Sequence, residues 1–131
     1  MYQIVVNVDW LNNYGASTDV LPIVVADKDL DQLKAGFIES FHLHVQSMID
    51  DNEELPEELK GEYEFKFVLT TRALLHYYDG ILTRAAISRM TGINEKQLGH
   101  YMQGVRNPRK EQRERIVSGL RNLGKELESV E

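Results

Sequence analysis

Leu82–Pro108 reads LTRAAISRMTGINEKQLGHYMQGVRNP. Its spacing predicts one short helix over 83–90, a turn at Gly92, a second helix over 94–103, a glycine stop at Gly104 and a basic loop. Apolar Ile87, Met90, Ile93, Leu98 and Tyr101 can share one small core, which leaves Arg84, Lys96, Gln97, His100 and Arg106 outside it. Thr83 stands where the first helix needs a cap. Gly92 occupies a turn that a Cβ would crowd, and Asn94 is a strong N-cap. Two helices packed steeply across a tight glycine turn present a helix N-terminus in the way the DNA major groove admits.

The chemistry of the second helix follows from that placement. Glu95, Lys96, Gln97 and His100 project from its outer face, with Asn94 at its start. Lys96 and Gln97 carry donors for base edges, whereas Glu95 accepts only from cytosine N4 or supports the helix start. Arg84, Arg106, Asn107, Arg109 and Lys110 flank this surface as phosphate clamps, which fix register without reading sequence. An isolated basic run is ordinarily a solvated face. Beside a two-helix pattern of this length the nucleic-acid reading is preferred.

Working outward, the periodicity after Thr70 is about 3.6, and helices are expected at 71–79, 83–90, 94–103 and 109–128. Ile116, Leu120, Leu123 and Leu127 form the stripe of the last one, with Gly119 and Gly124 expected to bend or split it. Before Thr70 the period is two. YQIVVNVDW (2–10) alternates as a half-buried strand, a turn follows at 12–15, and a short strand runs to Asp19. Pro22 opens a third strand. Asp27 or Asp29 caps a long helix whose stripe is Leu30, Leu33, Phe37, Phe41, Val45 and Met48. DDNEELPEELKG (50–61) reads as an exposed acidic connection, and Tyr63, Phe65, Phe67 and Leu69 mark a fourth strand.

The expected fold class is therefore α+β in two domains. Residues 1–70 form a small antiparallel sheet with one long helix, and residues 71–131 an all-α helix-turn-helix domain.

Charge divides along the same line. Met1–Thr71 carries four Lys/Arg against fourteen Asp/Glu (−10), and Arg72–Glu131 eleven against seven (+4), so the net −6 hides two units suited to different partners. A 42% apolar, 27% charged composition is that of a folded, soluble chain, and no run of apolar residues is long enough to span a membrane. With no cysteine, disulfides and thiolate metal sites are excluded. The chain opens on a strand pattern rather than a secretory leader, so a cytoplasmic location is expected.

Catalysis finds little support. A two-metal nuclease needs carboxylates converging on ions about 4 Å apart. Glu39 and Asp50 lie on the long helix, Asp9 shares its strand face with Gln3 and Asn7 and so should face solvent, and the carboxylates of 50–64 read as a solvated negative surface. His42 and His44 point about 200° apart around a helix, so they cannot share a metal. No glycine-rich phosphate loop or serine nucleophile arrangement is present. The expectation is a protein that is not an enzyme and needs no cofactor or metal.

Leu82-Thr83, Ile87-Ser88, Thr91-Gly92-Ile93, Leu98, Gly104 and Asn107-Pro108 resemble the Cro/C1-type (XRE-like) helix-turn-helix of phage repressors over most of residues 72–125. The resemblance implies Glu95, Lys96, Gln97 and His100 as base readers and Arg84 on the DNA backbone. Where that family usually carries neutral polar residues this chain has Arg84 and Glu95, so a base preference does not carry over. The order strand-strand-strand-helix-strand, Leu21-Pro22 and KDLDQLKAGFIESFHLHVQSMIDDNEELPEE further resemble HicB-type antitoxins. That implies a degenerate RNase H-like domain neutralising a HicA-like mRNA-cleaving toxin, and a homodimer or higher oligomer repressing a shared operator. The alternative is a free-standing dimeric regulator with no toxin partner.

Overall fold

In the computed structural model, which describes residues 1–131, YQIVVNVDW forms β1 (Tyr2–Trp10), burying Ile4, Val6 and Val8 and exposing Gln3, Val5 and Asn7. β2 (Tyr14–Ser17) pairs antiparallel with β1 after a turn in which Asn12 takes a φ of 66°. β2 ends at Ser17, shorter than its pattern suggested, and beyond it the Thr18 hydroxyl donates to the Val5 carbonyl at 2.9 Å. β3 (Val24–Asp27) begins later than Pro22, since the Ile23 amide bonds Leu21 O at 2.8 Å in a local turn instead of joining a ladder.

α1 (Leu30–Asp50) starts at Asp29, whose carboxylate accepts from the Gln32 amide at 2.8 Å, while Asp27 accepts from the Asp29 amide at 2.9 Å. Leu30, Leu33, Phe37 and Phe41 are its buried stripe. Phe37 meets Phe65 and Phe67 edge-on with ring centres 6.3 and 6.1 Å away. Full burial of a ring such as Phe37 contributes about 1.5–3 kcal/mol. The connection after α1 is less open than expected. A 3-10 turn at Glu57–Leu59 buries Leu59, and the Lys60 ammonium sits 3.0 Å from both Glu57 and Glu54, which raise its pKa.

β4 (Tyr63–Leu69) corrects the expectation of a purely antiparallel sheet. The strand order is β3-β2-β1-β4, and β4 runs parallel to β1 from Tyr2↔Tyr63 to Val8↔Leu69. The cause is connectivity. Two antiparallel steps leave β3 running with β1, and α1 carries the chain back so that β4 starts from the same end.

The chain divides into two compact units, Met1–Thr70 and Thr71–Glu131. The second is helical: α2 (Thr71–Asp79), α3 (Arg84–Thr91), α4 (Glu95–Gln103) and α5 (Lys110–Glu128). Leu75, Ile87, Ile93, Leu98, Tyr101 and Ile116 make its core. α5 is one continuous helix, not split at Gly119 or Gly124. Gly119 is instead a contact point, where a Cβ would lie 3.1 Å from Thr91 Cγ2 and 3.3 Å from Met90 O. No helix is long and apolar enough to cross a membrane.

Candidate nucleic-acid interface

The turn between α3 and α4 is built from short polar side chains. Thr83 Oγ1 accepts from the Ala86 amide at 3.0 Å and starts α3. α3 ends on Gly92, at φ 73°, whose amide donates to Ser88 O. The buried Thr91 hydroxyl donates to Ile87 O at 2.8 Å and accepts from the Ile93 amide at 3.2 Å. Arg115 closes the turn from α5, its Nε donating to Thr91 O at 3.1 Å. A Cβ on Gly92 would sit 2.6 Å from Arg115 Nη2, the far end of a flexible side chain, so it is the positive φ that calls for glycine.

Asn94 Oδ1 accepts from the Gln97 amide at 2.8 Å and begins α4. The helix stops at Gly104, φ 75°, with the Val105 amide turned back onto His100 O at 3.0 Å. The missing Cβ at Gly104 leaves room for the Arg72 guanidinium.

The sequence-predicted residues do not all stand alike. Glu95 and Lys96 are exposed on the first turn of α4. Gln97 is not fully outside. It is half-buried, and its amide nitrogen donates to Tyr101 Oη at 2.9 Å because that core ring reaches the surface one turn on. His100 is also half-buried, and its Nδ1 is a buried atom with no hydrogen-bond partner. Asn94 has committed its side-chain oxygen to the cap. Arg84 is exposed and lies against α4, with Nη2 3.7 Å from Met102 Sδ.

Arg106, Asn107, Arg109 and Lys110 lie around the start of α5, and all four are exposed. Arg106, Asn107 and Arg109 border a groove of about 460 Å³ with Gln97, Tyr101, Glu111, Gln112 and Arg115. Lys110 does not line it and lies 4.0 Å from Glu114. α5 starts at Arg109 without a side-chain cap, so its first amides face outward beside three guanidinium groups. Three guanidinium groups and the uncapped helix start favour an anion here, opposed in part by the Glu111 carboxylate on the same wall.

Arg115, the Tyr101 hydroxyl and Gly99, whose absent Cβ would lie 2.9 Å from Arg84 Nη1, carry no role in the sequence reading. Gly99 carried a signal, being a glycine inside a helix. Arg115 carried none, hidden in a run of charges.

In the first unit, Asp9 accepts from Thr70 Oγ1 at 2.7 Å and from the Trp10 amide at 2.8 Å, rather than facing only solvent. No three His, Asp or Glu side chains gather in a way that could hold a metal ion. The sheet face away from α1 leaves Val5 44% and Val24 79% exposed. No protein-family model, curated protein or solved structure matches this chain.

Proposed function

We propose that residues 71–131 bind double-stranded DNA as a helix-turn-helix, with the start of α4 in the major groove, and that the chain is a sequence-specific repressor of the antitoxin type. One observation carries the DNA-binding part: a capped α4 with Glu95 and Lys96 uncovered, next to an arginine-lined groove at the start of α5. On this reading Glu95, Lys96 and His100 meet bases. Arg106, Asn107, Arg109 and Lys110 are placed for phosphates. A single α4 covers few base pairs, so two copies acting on half-sites about 34 Å apart are required.

Residues 1–70 are, on the same proposal, the degenerate RNase H-like, HicB-like domain that captures a HicA-like toxin in the cytoplasm. Its support is charge. The acidic balance of that half imitates phosphate to a basic RNA-cleaving partner. The second reading, a dimeric regulator without a toxin, is favoured by the exposed valines on the open sheet face, which suit a second copy.

Titrating the full chain onto a duplex taken from upstream of its own reading frame tests the first claim. Binding about 10³-fold or more tighter than to random duplex is expected. Equal, weak affinity for both would overturn it. Relief of growth arrest on co-expression with a neighbouring small basic protein then separates the antitoxin from the free-standing regulator.

A further inference from the structure

Gly99 stands in the interior of α4, where glycine is the poorest ordinary helix former. Its backbone does not ask for glycine, since the positive-φ glycines are Gly92 and Gly104 alone. What occupies the missing side chain's place is Arg84. A Cβ at position 99 would lie 2.9 Å from Arg84 Nη1 and 3.4 Å from its Cζ, and Gly99 is buried beneath that group. Arg84 is itself exposed at the first position of α3, and Nη2 touches Met102 Sδ at 3.7 Å. Glu95, Gly99 and Met102 follow one another at helical spacing along one stripe of α4. The guanidinium therefore rests on the stripe that begins with Glu95, one turn further along, and no carboxylate pairs with it.

We infer that Arg84 is a specificity-determining residue rather than a phosphate clamp: Gly99 opens a notch in α4 that seats the Arg84 guanidinium on the base-reading surface, where its planar fork takes the O6 and N7 acceptors of a guanine. The inference rests on the DNA-binding reading of α4 and adds a reader that belongs to a different helix. The two roles make opposite demands on chemistry. A phosphate contact needs a positive charge, and lysine supplies one. A guanine contact of this kind needs two parallel donors held in a plane, and it needs the notch. Filling the notch displaces only the far end of a flexible side chain, and alanine is the better helix former. Gly99→Ala should thus leave the fold intact while moving the guanidinium.

The test uses the full chain and a pool of DNA duplexes with a randomised centre, selected by the wild type, Arg84→Lys, Gly99→Ala, Arg84→Ala and the Arg84→Ala/Gly99→Ala double variant. The wild type is expected to enrich a motif containing one fixed G·C pair. Arg84→Lys and Gly99→Ala are each expected to lose about 10- to 100-fold of preference at that pair alone. The rest of the motif should be kept, and Gly99→Ala should unfold at or above the wild-type temperature. In the Arg84→Ala background, Gly99→Ala should change nothing further. An unchanged motif in Arg84→Lys and Gly99→Ala, with affinity falling equally on every sequence, overturns the role given to Arg84. A wild-type pool that enriches no motif at all overturns the reading of α4 instead.

Discussion

Three glycines of the helical unit show that the same residue answers to different physical demands. Gly92 carries a φ of 73°, so alanine there meets a backbone penalty even if the Arg115 tip beside it swings aside. Gly124 lies in α5 with nothing within 4 Å of its absent Cβ, so it costs helix stability and gives nothing back. Gly92→Ala is expected to lower the unfolding free energy by about 1–2 kcal/mol. Gly124→Ala should raise it by up to about 1 kcal/mol. Urea titrations followed by far-ultraviolet circular dichroism read both, and shifts of the same sign would refute the distinction. Gly119 stands between them, since Thr91 Cγ2 and the Met90 carbonyl are close enough to resist a methyl.

An element depends on its first residue as much as on its apolar stripe. Asn94→Ala removes the acceptor for the Gln97 amide and should cost about 1 kcal/mol. Amide exchange in the first turn of α4 should quicken while α2 keeps its protection; slowed or unchanged exchange at Gln97 would deny the cap its role. Such caps explain why the helices are legible in the sequence to within a residue or so. Thr83, Asn94, Gly92 and Gly104 are local signals, and periodicity reports which face of a single element is apolar. Neither reports what lies opposite. The parallel pairing of β4 with β1 depends on where α1 returns the chain, and nothing in YEFKFVL encodes it. The bond from Gln97 to Tyr101 Oη and the closure of the turn by Arg115 have the same character: the sequence supplies the side chains but does not name their partners.

Across the whole molecule the net charge of −6 is a poor guide to DNA affinity, because the cations and the carboxylates act at different ranges. A cation touching a phosphate releases a condensed counterion, and each such cation adds about 0.9 to the slope of log K against log salt. A carboxylate elsewhere in the chain acts only through a field that falls off over a Debye length of about 10 Å at 0.1 M salt. The two contributions therefore separate experimentally. Arg106→Ala should weaken binding to every sequence and flatten the salt slope by about one unit. Glu53→Gln in the acidic half shifts the net charge by the same amount in the opposite direction, yet it should leave the slope where it was, since it releases no counterion from DNA. Anisotropy titrations over a range of salt concentrations give both slopes. If Glu53→Gln alters the slope as much as Arg106→Ala does, net charge and not direct phosphate pairing governs binding, and the arginine-lined groove beside α4 loses its claim on the phosphates.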